Sequence, residues 1–261
     1  MLFDSHCHLD YLARDGDLED VIARARAAGV TTMITICTKL SEFDVVRTIA
    51  EGHADIYCSV GVHPHEAEVE GQDDTRRLVA HAGHPKVVGI GETGLDYYYE
   101  HAPRQRQQDS FRAHISAARE TGLPLIVHSR DADDDTADIL REGRGQGPYS
   151  GVIHCFTAGP ELARAALDLG LYISISGIVT FRKAEALRAV VRDIPLDRLL
   201  IETDAPYLAP EPKRGKRNEP AFVAHTAAAV AKIKEVSVNE LAETTADNAR
   251  RLFSKIGAQG A

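Results

Sequence analysis

Cysteine is scarce in this chain: four residues in 261, Cys7, Cys37, Cys58 and Cys155, scattered and without a CxxC pair. That spacing builds no dense disulfide framework, and the four read as small apolar side chains of a reduced compartment. Long apolar runs are lacking too. None approaches the ~18 residues of a membrane span, and Met1–Asp4 leads into polar residues instead of the apolar stretch of a signal peptide. These absences point to a cytoplasmic protein with no membrane partner. Glycine (20) and proline (11) are too few for a fibre or a linker-rich chain. Positive charge is also short, since 30 Lys and Arg against 39 Asp and Glu leave a formal charge of −9. A protein that coats nucleic acid by counterion release is normally basic, so stoichiometric coating is disfavoured. An enzyme needs only a local basic patch. What is present, 44% hydrophobic and 26% charged residues, is a globular composition long enough to bury a core without staples.

One unit repeats along the chain. Apolar, β-branched runs predict strands at Leu2–His8, Met33–Thr38, Ile56–His63, Val87–Gly94, Leu123–Ser129, Gly151–Phe156, Leu171–Ile178 and Leu199–Asp204. Amphipathic stretches lie between them, such as Phe111, Ile115 and Ala118 at spacings of four and three. Asp17 before Leu18, Ser41 followed by Asp44, and Pro160 are helix-start signals, while Gly29, Gly122 and Gly170 end helices just before the next strand. Strands separated by helices pair in parallel through right-handed crossovers. Eight such units predict a single (β/α)8 TIM barrel, with an open doubly wound sheet as the runner-up. Gly143–Gly147 is expected inside one helix-to-strand loop, so residues 1–261 are taken as one domain.

Histidines and carboxylates collect at the strand ends. His6 and His8 flank Cys7, so alternation puts both imidazoles on one face, about 6.5–7 Å apart. Alone, such a pair is a weak signal. Its company makes it strong: Glu92 ends the fourth strand, His128 the fifth, His154 the sixth and Asp204 the eighth. In a barrel these ends meet at one mouth. Four imidazoles and two carboxylates exceed one tetrahedral site. They suit two divalent ions, about 3.5–4 Å apart, sharing a bridging carboxylate. Glu202, two residues before Asp204, faces the same interior and is expected to orient a ligand imidazole from behind, with a generic core salt bridge as the other reading. Arg130, two past His128, is the best phosphate clamp, because its fork pairs two oxygens. Lys213, Arg214, Lys216 and Arg217 form a basic segment that is either a solvated loop or, by its position after the eighth strand, where barrels often hold phosphate, a phosphate site.

Other candidates are weaker. His63 ends the third strand and is either a proton donor, a phosphate ligand or a plain loop histidine; His65 carries less weight. His53, His81, His84, His101, His114 and His225 fall away from the strand ends and are expected to be solvated. Tyr97, Tyr98 and Tyr99 offer stacking surface near the mouth, with at least one packed beneath the loop. Gly89–Gly94 satisfies GxGxxG, but no helix opens at Gly94 and Glu92 would repel a pyrophosphate. The acids between Asp131 and Asp138 suit a helix N-terminus better than a calcium loop.

Together these residues carry a resemblance. Asp4-Ser5-His6-Cys7-His8-Leu9-Asp10, Gly91-Glu92-Thr93-Gly94-Leu95-Asp96-Tyr97-Tyr98, Val127-His128-Ser129-Arg130, Ile153-His154-Cys155-Phe156, Glu202-Thr203-Asp204-Ala205-Pro206 and Arg214-Gly215-Lys216-Arg217-Asn218-Glu219-Pro220 resemble, in order, the motifs of the TatD family. One departure is Ala158-Gly159 after Thr157, where the family more often has Gly at once. The resemblance covers residue 4 to about residue 252 and implies a metal-dependent deoxyribonuclease on an amidohydrolase-like TIM barrel. It implies that His6, His8, Glu92 and Asp204 hold one metal, and Glu92, His128 and His154 the other. Magnesium or manganese in use, and DNA as substrate, follow from it; imidazole ligation also accepts zinc. On this basis Asp204 is expected to orient the attacking water and take its proton, Arg130 and the basic segment to hold phosphate, and His63 to assist the leaving 3′ oxygen. Single-stranded 3′ ends are the expected substrate, without an obligate protein partner. The alternatives are an amide or ester hydrolase, such as a D-aminoacyl-tRNA deacylase, and a structural metal-binding module.

Overall fold

Every predicted strand pairs with the next in the computed structural model, which describes residues 1–70 and 74–257. The strands are β1 (Leu2–Cys7), β2 (Val30–Thr35), β3 (Ile56–Val60), β4 (Val87–Asp96), β5 (Leu125–Arg130), β6 (Gly151–Ile153), β7 (Tyr172–Ile175) and β8 (Leu199–Ile201). They form one parallel sheet in the order β1 to β8. Past the end of β8 the sheet closes on β1: Cys7 bridges Ala205, Asp204 N donates to His6 O at 2.9 Å, and His8 N to Ala205 O at 2.7 Å. The fold is therefore a (β/α)8 barrel, and the open sheet is ruled out. No described helix is long and apolar enough to cross a membrane.

Strand ends differ from the sequence expectation in one systematic way. The ladders of β1, β2, β3, β6, β7 and β8 stop one to three residues short of His8, Thr38, His63, Phe156, Ile178 and Asp204, while β4 and β5 run on to Asp96 and Arg130. Cys155 (φ 42°) and Asp204 (φ 56°) adopt left-handed backbone that a β-ladder cannot contain. The second strand starts at Val30, not Met33, because Val30–Met33 pairs with Leu2–Asp4.

Between the strands run α1 (Leu9–Ala13), α2 (Leu18–Ala27), α3 (Phe43–Glu51), α4 (Ala67–Glu70), α5 (Asp74–Ala82), α6 (Arg104–Thr121), α7 (Asp133–Gly145), α8 (Pro160–Asp168), α9 (Glu185–Asp193), and the pair α10 (Val223–Lys234) and α11 (Val238–Leu252). Asp17 precedes α2, Pro160 opens α8, and Gly29, Gly122 and Gly170 all have positive φ at helix ends. Ser41 does not cap α3; it lies in a 3-10 turn and its hydroxyl donates to Glu70. Gly143 and Gly145 belong to α7 instead of a loop. A Cβ at Gly143 would come within 2.6 Å of Ile115 Cγ2, so the glycine lets α6 and α7 touch. Gly159, in the departing sixth loop, caps the start of α8 and donates its N–H to Asp133.

Two buried clusters alternate along the strands. Leu125, Val127, Leu199 and Ile201 belong to the larger one, shared with the helices. Ile126, Val152 and Leu200 belong to the smaller, with Phe3, Ile34 and Val88, and Phe253 at the end of α11 plugs it. His128, His154 and Glu202 stand two residues beyond Ile126, Val152 and Leu200, on the same side of the pleat. The apolar floor thus points straight up to the site.

Candidate metal centre

Glu92 is the hub of the barrel mouth. Its carboxylate is buried, with Oε1 2.7 Å from His154 Nε2, 3.1 Å from His128 Nδ1 and 3.4 Å from His63 Nε2. Its Oε2 faces His6 Nε2 at 3.4 Å and His8 Nε2 at 3.9 Å. Asp204 approaches the same two imidazoles, 3.4 Å from His8 and 3.7 Å from His6. All six predicted ligands therefore meet at one place. Five of them, all but His6, line an open cavity of about 680 Å³.

Close backbone approach puts Glu92 there. Gly91 (φ 145°) would carry a Cβ 2.6 Å from Ile126 O, and Gly94 (φ 131°) one 2.0 Å from His128 O. The glycines of the GxGxxG pattern thus serve strand contact between β4 and β5, not phosphate binding. The register shift between Ile90 and Thr93 belongs to the same packing.

Carboxylates behind the imidazoles set their tautomers. His154 Nδ1 lies 3.3 Å from Glu202 Oε1, which also accepts Cys155 N–H at 2.8 Å. A proton on Nδ1 leaves Nε2 free to ligate. His128 Nε2 lies 3.2 Å from Asp96 Oδ2, leaving Nδ1 free on the Glu92 side. Glu202 stands where the sequence places it, whereas Asp96, four residues after Glu92 in the same motif, is not among the residues that the sequence singles out. Asp96 also pairs with His65 Nε2 at 2.9 Å and accepts from the backbone of Tyr98 and Tyr99. His63 differs from the other imidazoles. Its Nδ1 accepts His65 N–H at 3.1 Å, so its proton sits on Nε2, which points at Glu92.

Electrostatics follow the geometry. Burial works to raise the Glu92 carboxyl, but His154, His63 and His6 overcome it and hold it well below the ordinary range. Burial works to lower His154, yet Glu92 and Glu202 push it well above a free imidazole. His6 and His63 are both lowered, first by burial. Asp204 is lowered: His8 and His6 outweigh its burial. The donor set fits metal ions. His6 Nδ1 and Nε2, His8 Nδ1, and one oxygen each of Glu92 and Glu202 are buried without a hydrogen-bond partner. Ligand-capable atoms of His6, His8 and Glu92 lie within 4.8 Å of one another, as do those of His6, His154 and Glu202. Buried, orphaned N and O donors of this kind are what a divalent cation satisfies.

The remaining predicted residues divide. Arg130 lines the mouth, its guanidinium 4.0 Å from the Tyr98 ring centroid and 4.7 Å from that of Tyr99, with no carboxylate paired to it among the described residues. Arg217 is committed elsewhere: it pairs with Asp15 and Asp17 and ties its loop to the start of α2. Lys213 and Arg214 lie over the rings of Phe222 and Phe181, and none of the basic four lines the cavity. Tyr97 packs beneath the loop, its hydroxyl donating to Asp135 at 2.6 Å. Two histidines expected to be solvated are not merely so. His114 is fully buried and accepts Val62 N–H at 2.9 Å, while His101 lines the mouth.

Residues 3–254 match the family model described as TatD related DNase. The chain belongs to the TatD family. Its relatives within that family include the uncharacterized metal-dependent hydrolase YcfH of Escherichia coli (strain K12), 49% identical over 256 residues that cover 97% of this chain and 95% of that protein. The 3'-5' ssDNA/RNA exonuclease TatD of Edwardsiella piscicida is 38% identical over 244 residues, covering 91% and 94%. Among solved structures, YjjV, a TatD homolog from Escherichia coli K12, superimposes with a TM-score of 0.89 at 30% identity, over 97% of this chain and 98% of that one. As a TatD protein the chain is a metal-dependent hydrolase, and its mouth carries the His and Glu cluster that such chemistry requires.

Proposed function

We propose that this TatD protein cleaves phosphodiester bonds of DNA, taking nucleotides from single-stranded 3′ ends with two divalent ions bound. The observation that carries this reading is the juxtaposition of Glu92, whose Oε1 faces His154 and His128 and whose Oε2 faces His6 and His8, with Arg130, a guanidinium in the same open mouth without a carboxylate partner among the described residues. His6, His8, Glu92 and Asp204 would hold one ion, and Glu92, His128 and His154 the other. When bound, the ions make water more acidic and neutralise charge developing on the phosphoryl oxygens; magnesium or manganese would serve, and the imidazoles also accept zinc.

The chain's own groups supply the rest. Asp204 opens on the cavity and is held ionised, so it can orient the attacking water and take its proton. His63 lines the cavity with its proton on Nε2, 3.4 Å from Glu92 Oε1, and that N–H, turned to a substrate oxygen, would donate a hydrogen bond beside the leaving 3′ oxygen. Arg130 grips a phosphate, its plane pre-set by Tyr98 and Tyr99. Lys213, Arg214 and Lys216, free of carboxylate partners among the described residues, lie outside the cavity lining and would meet phosphates farther along the strand. Arg217 holds that loop in place. The name of the Edwardsiella relative supports a single-stranded substrate.

The test is cleavage of labelled single- and double-stranded DNA and RNA by protein stripped with chelator and reloaded with each metal in turn. Progressive shortening of single-stranded DNA from its 3′ end, restored by magnesium or manganese, is expected. Turnover of small esters or amides with none of DNA would overturn the reading in favour of the other hydrolase class.

A further inference from the structure

Two aromatic walls stand on opposite sides of the mouth, and neither supplies a group to the metal centre. Tyr207 follows β8, while Tyr99 and His101 follow β4, halfway round the barrel. All three line the cavity that Glu92 floors. Of the seven exposed large hydrophobic residues among those described, three are Tyr98, Tyr99 and Tyr207. Such exposure concentrated at one mouth marks a binding surface more than chance scatter.

Both walls are held in place before any ligand arrives. Tyr207 is 53% exposed and stands nearly perpendicular to His8 and Tyr11, at centroid distances of 6.2 and 6.3 Å. Its backbone is fixed from behind, where buried Asn218 Nδ2 donates to Tyr207 O at 2.6 Å and to Thr203 O at 2.8 Å. Tyr99 is 51% exposed, parallel to His101 at 5.5 Å and perpendicular to His65 at 5.5 Å. Flat rings ordered on both sides of a charged floor suit a ligand with an anion in the middle and a flat group at each end.

We propose that the walls are two nucleobase subsites that hold consecutive nucleotides splayed apart. One base lies against Tyr207 and the other against Tyr99 and His101. The phosphate that joins them lies over the floor, and Arg130 meets the next phosphate along. This rests on the phosphodiesterase reading and adds how the strand is held. Stacking on a ring tolerates any base, because every base has a π-face. Bases parted in this way cannot stay stacked on each other, which accounts for a single-stranded substrate by geometry and not by charge.

The experiment measures KM of the metal-loaded enzyme on short oligonucleotides in which the base on the 5′ or the 3′ side of the scissile bond is replaced by an abasic tetrahydrofuran. In the wild type, removing either base is expected to raise KM roughly 5- to 100-fold. In Tyr207→Ala the ratio of abasic to intact KM should fall towards one at one position only, and in Tyr99→Ala at the other. Tyr207→Phe and Tyr99→Phe should keep both ratios, which a variant damaged in folding would not do. A wild type indifferent to both bases, or alanine variants that keep both ratios, would overturn the subsites while leaving DNA cleavage standing. A wild type that cleaves none of these oligonucleotides with magnesium or manganese would overturn the phosphodiesterase reading, and the subsites with it.

Discussion

Asp96 and Glu202 each hold an imidazole by the nitrogen that does not face Glu92. Asp96→Asn keeps the shape but turns one oxygen into an NH2 group, so it can no longer accept both from His128 and His65 on Oδ2 and from the Tyr98 and Tyr99 N–H groups on Oδ1. Metal affinity should fall roughly 10- to 100-fold, as for other groups that orient ligands, read by titration of the stripped protein with manganese. Unchanged affinity would leave Asp96 as loop support only. Asp204→Asn tests a different role. Losing the charge and the basicity should lower kcat by roughly 10²- to 10⁴-fold on a working substrate with the fold intact; a loss of only a few-fold would assign proton transfer to another group. His114 gives a pH signature away from the mouth. Burial holds it down at about 4, against an ordinary 6.5. Below pH 6.5 the unfolded chain binds the proton more readily, so the stability His114 contributes is present at neutral pH and is lost as pH falls towards 4. Between pH 7.5 and pH 5 that loss should reach about 2 kcal/mol. Urea unfolding of wild type and His114→Gln at the two pH values should show the variant losing less.

Among the elements, β4 is where sequence pattern and role diverge most. Gly91 and Gly94 let it press on β5 so that Glu92 comes within reach of His128. Gly94→Ala would force a side chain into left-handed backbone and against His128 O, and should cost roughly 3 kcal/mol or more. Thermal unfolding would show it, together with weakened metal binding; a variant that folds and binds like wild type would remove the close-approach account. The segment after β8 behaves as two parts. Arg217→Gln should loosen the loop, whereas changing Lys213, Arg214 and Lys216 to Gln should leave the fold alone. If DNA is the substrate, each lost phosphate contact should flatten the salt dependence of binding by about one unit of slope or slightly less. Binding measured across a salt series separates these outcomes.

At the scale of the whole molecule, the barrel divides into an apolar floor and a polar mouth. Phe253, from the last helix, plugs the floor, and Phe253→Ala should cost about 3–5 kcal/mol by leaving a cavity without changing how much metal the protein takes up. The mouth is the reverse. Buried donors without partners favour the metal-loaded state, so chelation should lower the melting temperature, as loss of any ligand specific to the folded state does. Elemental analysis of saturated protein should find two ions per chain. A single ion would remove the shared-carboxylate arrangement, and Glu92→Ala should weaken both ions where His128 or His154 variants weaken one.

Period-two apolar runs separated by helical ones, with glycines at the helix ends, were enough by themselves to specify eight parallel units, because those patterns act locally. The same periodicity brought His6, His8, Glu92, His128, His154 and Asp204 to strand ends, and a barrel joins strand ends at one mouth. Tertiary structure decided what depends on contacts between distant segments. Whether Arg217 meets a phosphate or Asp15 and Asp17 is a matter of which loop lies beside it, and no spacing encodes that. His114 and His101 look alike as helix or loop histidines, yet one is sealed between β3 and α6 and the other stands in the mouth. Asp96 could not be told from an ordinary acid at a strand end until His128 and His65 were seen on either side of it. Proton placement on His63 likewise rests on a single backbone N–H. Sequence set which residues face inward; only packing set which partner each one finds there, because side-chain pairing is a property of the closed barrel and not of any one strand.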